Sequence, residues 1–474
     1  MQKAVLKFGG SNLRRPEDID RIVQVVRLYD QPVVLVVSAF YGITNELVAC
    51  VAAARQGAGQ ASALAETRQF TTRLRALHEE ILDANLGPEK APPETRERVS
   101  RALAERQDQL ERYLTGVHYI GDVPDFVNDA ILSFGERLSS LLLTEVLRSR
   151  SLEAREVLPE ALGLRTDGVF GRAACDFAAS RESVRAGLEG PGLLVVPGFY
   201  GVDAAGKVTL FGRGGSDYSA ASIARCIAAS SLDVWKDVDG FLSADPGAVA
   251  KPHSLAHLHY LEAAELSYFG AKILHPRTVE PLFDQNIPIR IFNITRPERG
   301  LEPYTVIDGT RRVTQEVVKS VASSDDVAIV KLHGPGVGFQ AGILARVTGT
   351  LDRLGINIKS VLTAQTAINL LLARDDLGPA LQALQEHHLA GVVEVTSNAE
   401  VSILAVVGDG LVGGSVVGGG VPSRALSAVL AGGVRVTLSA AGASEVACYL
   451  LVHRDDRKKA LALIHAEFFG HERT

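Results

Sequence analysis

The sequence predicts an α/β protein: a large, mainly parallel sheet sandwiched by helices, followed by two smaller α/β modules. Two observations carry this expectation. Short β-branched runs alternate with helical segments over the first three hundred residues, and the last third of the chain contains an internal duplication. Residues 3–8 read as a buried strand ending in Gly9-Gly10, and a helix follows from about Pro16 to Leu28, with Pro16 and Glu17 suited to its first turn. Pro32 then opens the run VVLVVS, a strand apolar on both faces. Strand, helix and strand in so short a span form a βαβ unit, which requires parallel pairing.

From about 46 to 130 helix formers dominate, broken by QGAGQ and GPEKAPP, and this region reads as a helical excursion off the sheet. The strand pattern resumes at REVLPE, GLLVVPGFYG, KVTLFG and LDVWKDVDG and ends at IPIRIFNI near residue 290. Residues 1–300 are therefore assigned to one large unit and 301–320 to a linker. Beyond it, VAIVKLHGPG (327–336) with ARVTGTLDRLGINI (345–358) matches VSILAVVGDG (401–410) with SRALSAVLAGGVRV (423–436). Each copy reads strand, glycine-rich loop, helix, strand. The copies are placed at 321–395 and 396–474.

Composition excludes several function classes. The 474 residues are 46% hydrophobic and 22% charged, with a formal net charge of −6. No bulk positive field is present to hold nucleic acid or an anionic membrane. No apolar run approaches the ~18 residues of a spanning helix, and MQKAVLKF enters a strand with no signal-peptide core, so a cytoplasmic address is expected. The four cysteines, Cys50, Cys175, Cys226 and Cys448, show no CxxC pair and read as reduced, buried thiols.

Two segments carry chemistry. In Lys7-Phe8-Gly9-Gly10-Ser11, paired glycines at a strand end let backbone N–H groups approach an anion, and Lys7 adds a compact charge. A Gly-Gly turn is usually only a turn, and no GxxxxGK[ST] loop is present. In Phe211-Gly212-Arg213-Gly214-Gly215-Ser216-Asp217 a cation, a hydroxyl and a carboxylate share the start of a helix with three glycines. Ser216 or Asp217 can serve as a helix cap, but capping does not call for an arginine among glycines. Two decoys are weaker. GDGLVG (408–413) matches GxGxxG but lacks the following helix and the acidic residue about twenty positions on. His253, His257 and His259 lack metal-site spacing partners.

KFGG, FGERLSS (134–140), FGRGGSD (211–217), WKDVDGFLSADP (235–246) and FGAKILHP (269–276), in this order, resemble the signature set of the aspartate kinases, and the duplicated modules resemble their paired ACT domains. The resemblance covers essentially the whole chain. It implies an amino-acid-kinase open αβα sandwich followed by two ferredoxin-like ACT domains, in a monofunctional enzyme that forms a homodimer or higher homo-oligomer. It implies ATP and Mg²⁺ as cofactors and ATP-dependent phosphorylation of the L-aspartate side-chain carboxylate, the first step of lysine, threonine and methionine biosynthesis. Lys7 would face the transferring phosphoryl group and Asp217 would organise the cations. Arg213 would clamp the substrate α-carboxylate, Glu136 would receive its ammonium, and Thr44 and Ser216 would complete the pocket. Gly9, Gly10, Ser11, Lys236, Asp237, Leu242, Gly247 and Lys272 fall at nucleotide positions, with no protein metal site. Asn12, Lys236, Leu242 and Gly247 depart from the usual family residues. An amino-acid effector, lysine or threonine, is expected at Gln365 and Asn369 beside the loop Gly336–Ile343. The rival readings are a kinase with a glutamate-type acceptor and a non-catalytic amino-acid sensor.

Overall fold

The computed structural model of the chain describes residues 2–56, 61–271, 273–312, 317–338, 340–387, 389, 391–411 and 420–470. They divide into two compact units: Met1–Phe241 with Ser254–Ala264 and Lys272–Thr310, and Leu242–His253 with Glu265–Ala271 and Arg311–Thr474.

The first unit is built on strands β1 (Ala4–Phe8), β2 (Val33–Val37), β3 (Ala154–Glu156), β4 (Leu193–Pro197), β7 (Ser231–Lys236), β8 (His257–His259), β9 (Ile289–Asn293) and β10 (Thr305–Asp308), with a separate hairpin of β5 (Tyr200–Val202) and β6 (Val208–Leu210). The sheet order is β3-β4-β2-β1-β7-β9-β10-β8. All neighbouring pairs are parallel except β9 with β10. β1 and β2 are buried along their whole length, as their uninterrupted apolar sequences require. The chain order reverses around β1, which lies between β2 and β7. Such a crossover opens a crevice at the carboxyl ends of the strands, where open α/β sheets bind ligands. The helices Ile43–Gln56, Ala61–Leu86, Pro93–Ile120 and Asp125–Leu132 form the expected excursion, and Leu74, Ile81, Leu103, Leu110 and Leu114 join the core beneath β1 and β2.

Two domain assignments need correction. The stretch 301–320 is not a plain linker, because Thr305–Asp308 pairs with β8 and β9 and completes the first sheet. Nor is 1–300 one body: Leu242–His253 and Glu265–Ala271 pack with the C-terminal residues. Their hydrogen bonds explain why. Val321 N–H donates to Ser243 O (2.8 Å), Ser320 Oγ donates to Leu242 O (2.8 Å) and the Tyr449 hydroxyl donates to Glu265 (2.9 Å). A side chain at Gly270 would collide with Ser323 O, so this approach needs glycine.

The second unit contains two antiparallel four-stranded sheets. One has the order β13 (Ile358–Ala364), β14 (Ala367–Leu372), β12 (Ala328–His333), β15 (Glu394–Asn398). The other has the order β11 (Ser320–Ser324), β16 (Val401–Val407), β18 (Ala447–His453), β17 (Val436–Ala441). Helices Ile343–Arg353 and Leu377–Glu386 cover the first sheet, and Val421–Ala431 and Arg457–Phe469 the second. The duplication is real, but the boundaries 321–395 and 396–474 do not hold. β11 precedes the first module in sequence yet pairs with β16 of the second, while β15 runs to Asn398 in the first. Each module takes its fourth strand from a different side of the chain.

Within the first unit, Asp233 on β7 is fully buried, and it accepts from Arg290 Nε (2.7 Å) and from the Tyr29 hydroxyl (2.6 Å). Breaking a buried ion pair by removing one partner strands the other charge. Asp233→Ala is expected to lower stability by about 3–5 kcal/mol, measured by denaturant unfolding. A cost within error of a surface substitution would contradict this role.

Candidate active site

Lys7 is the penultimate residue of the central strand β1, near its carboxyl end, opposite Val36 on β2 and Val234 on β7. Only 4% of it is exposed, so its ammonium needs a partner. That partner is Asp217, at the first turn of helix Gly215–Cys226, whose Oδ1 pairs with Lys7 Nζ. Lys236, the last residue of β7, reaches the other oxygen, with Nζ 3.8 Å from Asp217 Oδ2. Burial raises the Asp217 pKa, but Lys236 and Lys7 outweigh it and hold the carboxyl at about 2. Burial lowers the pKa of Lys7; Asp217 opposes that shift and Lys236 adds to it. One carboxylate thus faces two ammonium groups and leaves the cluster cationic.

The loop before this helix owes its shape to glycine. Gly214 has φ 72°, and a side chain there would fall on the His275 ring. Arg277 fastens the same loop, with Nη1 donating to Phe211 O (2.7 Å), Nη2 to Ala173 O (2.9 Å), and its guanidinium over Tyr218. Arg213 is left exposed on the loop.

The FGERLSS segment forms the start of helix Phe134–Ser149. Gly135 lets the helix approach Ala39 closely, and Ser139 Oγ donates to Ser38 O (2.8 Å). This packing turns Glu136 inward, where it is 3% exposed. Ser216 Oγ donates to its Oε1 at 3.3 Å, and Oε2 has no hydrogen-bond partner in the protein. Burial pushes the Glu136 carboxyl up to about 8 against the opposing effects of the Ala39 N–H, Ser216 and Lys7.

A cavity of about 600 Å³ brings together Lys7, Gly10, Thr44, Glu136, Arg213, Ser216 and Asp217. Tyr41, Asn45 and Asn128 also line it and were missed. The first two stand in SAFYGITN beside Thr44, so proximity to a named residue was their only signal. Asn128 had none. Its neighbour Asp129 secures the wall, with Oδ2 accepting from the N–H groups of Gly171 (2.8 Å) and Leu210 (2.9 Å).

The remaining expected residues scatter. Ser11 and Asp237 line a second cavity of about 520 Å³. Gly9 N–H donates to Asn12 Oδ1 (3.1 Å) and a side chain at Gly9 would crowd Lys7 Nζ. Leu242 and Gly247 pack within the second compact unit. Lys272 lies outside the described residues. In the first C-terminal module Gln365 is exposed at the β13–β14 turn, its carbonyl accepting from Gly338 N–H (2.8 Å), and Asn369 is half-buried on β14. Ile343 opens helix Ile343–Arg353, and its side chain is 1% exposed within the module core. His253 packs on Phe469, whereas His259 Nδ1 accepts from Leu261 N–H. Among the described residues no helix is long and apolar enough to cross a membrane.

A buried carboxylate held by two lysines, at the strand ends of a parallel sheet and beside an inward glutamate, defines a site for anion transfer. Comparison with known proteins agrees. The model of the amino acid kinase family matches residues 2–293 and an ACT domain model matches residues 322–386. Aspartokinase 3, chloroplastic, of Arabidopsis thaliana is 31% identical over 98% of this chain and 81% of its own length. The lysine-sensitive aspartokinase 3 of Escherichia coli K12 is 30% identical over 78% of each. A crystal structure of E. coli aspartokinase III in complex with aspartate and ADP aligns with a TM-score of 0.81 at 26% identity, over 99% of this chain and 100% of that one. The chain belongs to the aspartokinases of the amino acid kinase family.

Glu136 has a consequence for stability. Its folded-state pKa of about 8 lies above the ordinary value of 4.5. Its contribution is complete below 4.5, where both states are protonated, and is lost as pH rises through 8, because the unfolded chain sheds the proton first. The melting temperature is expected to fall across this window, and Glu136→Gln to remove that component. Parallel pH profiles for the two proteins would refute the assignment.

Proposed function

We propose that the chain catalyses ATP-dependent phosphorylation of the L-aspartate side-chain carboxylate, giving 4-phospho-L-aspartate. The observation that carries this reading is the Lys7–Asp217–Lys236 cluster, which lies in reach of the cavity bounded by Glu136 and Arg213. The relatives named above support the acceptor and the nucleotide.

Free aspartate offers an α-carboxylate, an α-ammonium and a β-carboxylate. Arg213 suits the first as a bidentate donor. Glu136 suits the second, since its Oε2 lacks a partner and an incoming ammonium would stabilise the ionised form. Thr44 and Ser216 complete the polar lining. The β-carboxylate, with an ordinary pKa near ~3.9, is already an ionised nucleophile at neutral pH. No general base is required. The barrier lies in bringing two anions together, and the excess positive charge of Lys7 and Lys236 over Asp217 lowers it. Gly10 and Ser11 offer backbone N–H groups to phosphate at the end of β1, while the Gly9 N–H is taken by Asn12. Among the described residues no group of three or more acidic, His or Cys side chains converges. Mg²⁺ would accompany the nucleotide and would supply charge neutralisation at its phosphates.

Regulation is assigned to the first C-terminal module. Gln365 and Asn369 offer amide groups beside the loop that leads into helix Ile343–Arg353, and lysine is the effector that the lysine-sensitive relative suggests.

Aspartate-dependent ADP release, measured in a coupled assay, tests the activity. Lys7→Ala is expected to lose at least about a hundredfold in kcat, and Arg213→Ala to raise the KM for aspartate more than that for ATP. Wild-type turnover in Lys7→Ala, or glutamate used as well as aspartate, would overturn the reading. For the effector, Asn369→Ala should weaken lysine binding about tenfold in calorimetry; an unchanged Kd would reject that site.

A further inference from the structure

The second cavity of the first unit lies at the carboxyl ends of three adjacent parallel strands. Ser11 and Asn12 follow β1, Asp237 follows β7, and Ile294 and Thr295 follow β9. It shares the end of β1 with the active-site cavity, since Gly10 lines one and Ser11 the other. A ligand whose reactive end meets Lys7 can therefore extend along Gly10 and Ser11 into this space.

Asn12 gives the cavity a specific character. It is 2% exposed and lines the wall. Its Oδ1 accepts the Gly9 N–H at 3.1 Å, which fixes the orientation of the amide and leaves Nδ2 as the free end. That Nδ2 is buried and has no hydrogen-bond partner in the protein. An orphaned buried donor costs about 1–3 kcal/mol, a cost that a ligand acceptor would remove. Beside it stands Arg14, half-exposed, with Nη2 3.3 Å from Asp237 Oδ2 and its guanidinium 5.0 Å from the Tyr41 ring centroid. The acidic lining is partly committed: Asp18 Oδ2 accepts the N–H groups of Arg14 and Arg15, each at 3.0 Å, and its Oδ1 pairs with Arg21.

We infer that Asn12 and Arg14 form a second polyphosphate contact: Asn12 Nδ2 donates to, and Arg14 neutralises, a nucleotide phosphate beyond the one at Lys7. The inference rests on the proposed kinase reading and deepens it by naming residues that set nucleotide affinity.

The test is calorimetric titration of the full chain with ADP, adenosine and inorganic tripolyphosphate, which needs no aspartate chemistry. Asn12→Asp keeps the acceptor for Gly9 N–H but replaces the donor with a second, negative oxygen. Arg14→Gln removes the charge at a half-exposed position where folding is not at stake. Both are expected to raise the ADP Kd at least about tenfold with the KM for aspartate unchanged, and tripolyphosphate, not adenosine, should compete with ADP. An unchanged ADP Kd in Arg14→Gln, or in a stably folded Asn12→Asp, overturns the inference, as does competition by adenosine alone. ADP binding that depends on both residues without aspartate-dependent turnover would instead sink the kinase reading and leave this contact standing.

Discussion

The buried pair of Lys7 and Asp217 is the constraint around which the first unit is organised. A lysine buried on a fully covered strand can stay charged only if a carboxylate meets it. Asp217 does so from the first turn of a helix, which requires a strand-to-loop-to-helix path that brings that turn against β1. The glycines at 212, 214 and 215 make the path short, and Arg277 ties it to the neighbouring backbone. Lys236 then adds a second ammonium group to the same carboxylate. With two ammonium groups against one carboxylate, the site is incomplete until an anion arrives.

The opposite wall is set by packing, not by charge. Gly135 permits the contact with Ala39 that aims Glu136 inward. The result is a carboxyl that stays protonated in the empty site near neutral pH and ionises when a cation is supplied. The two walls of the cavity are thus opposite in character, a buried carboxyl on one side and the lysine cluster on the other.

Much of this was legible in the chain. The apolar strands β1 and β2, the helical excursion, the duplication and the gathering of Lys7, Glu136, Arg213, Ser216 and Asp217 all follow from local pattern and motif order. What was not legible depends on pairing between segments distant in sequence. β11 and β15 are short and polar enough to pass as linker or module edge, and only their ladders show which sheet each completes. Ile343 reads as a loop residue because it follows glycines, yet it begins a helix and turns into the core. Asn128 lacked any motif that would assign it a cavity, and Asn12, though next to KFGG, stood out only as a departure from the usual residue. Leu242 and Gly247 followed a catalytic motif so closely that nothing local revealed their partners on β11 and in their own loop.

That last feature bears on how the chain can be cut. The segments Leu242–His253 and Glu265–Ala271 obtain their hydrogen bonds from residues such as Ser320, Val321 and Tyr449, and Ser243 Oγ lies 2.9 Å from His465 Nε2 on the last helix. Removal of the C-terminal third would therefore leave two stretches of the N-terminal part with unpaired backbone and an exposed apolar side. The C-terminal modules are not an appendage that evolution or an engineer can exchange by splicing at one junction. A functional transplant would have to carry three separate pieces of sequence across together.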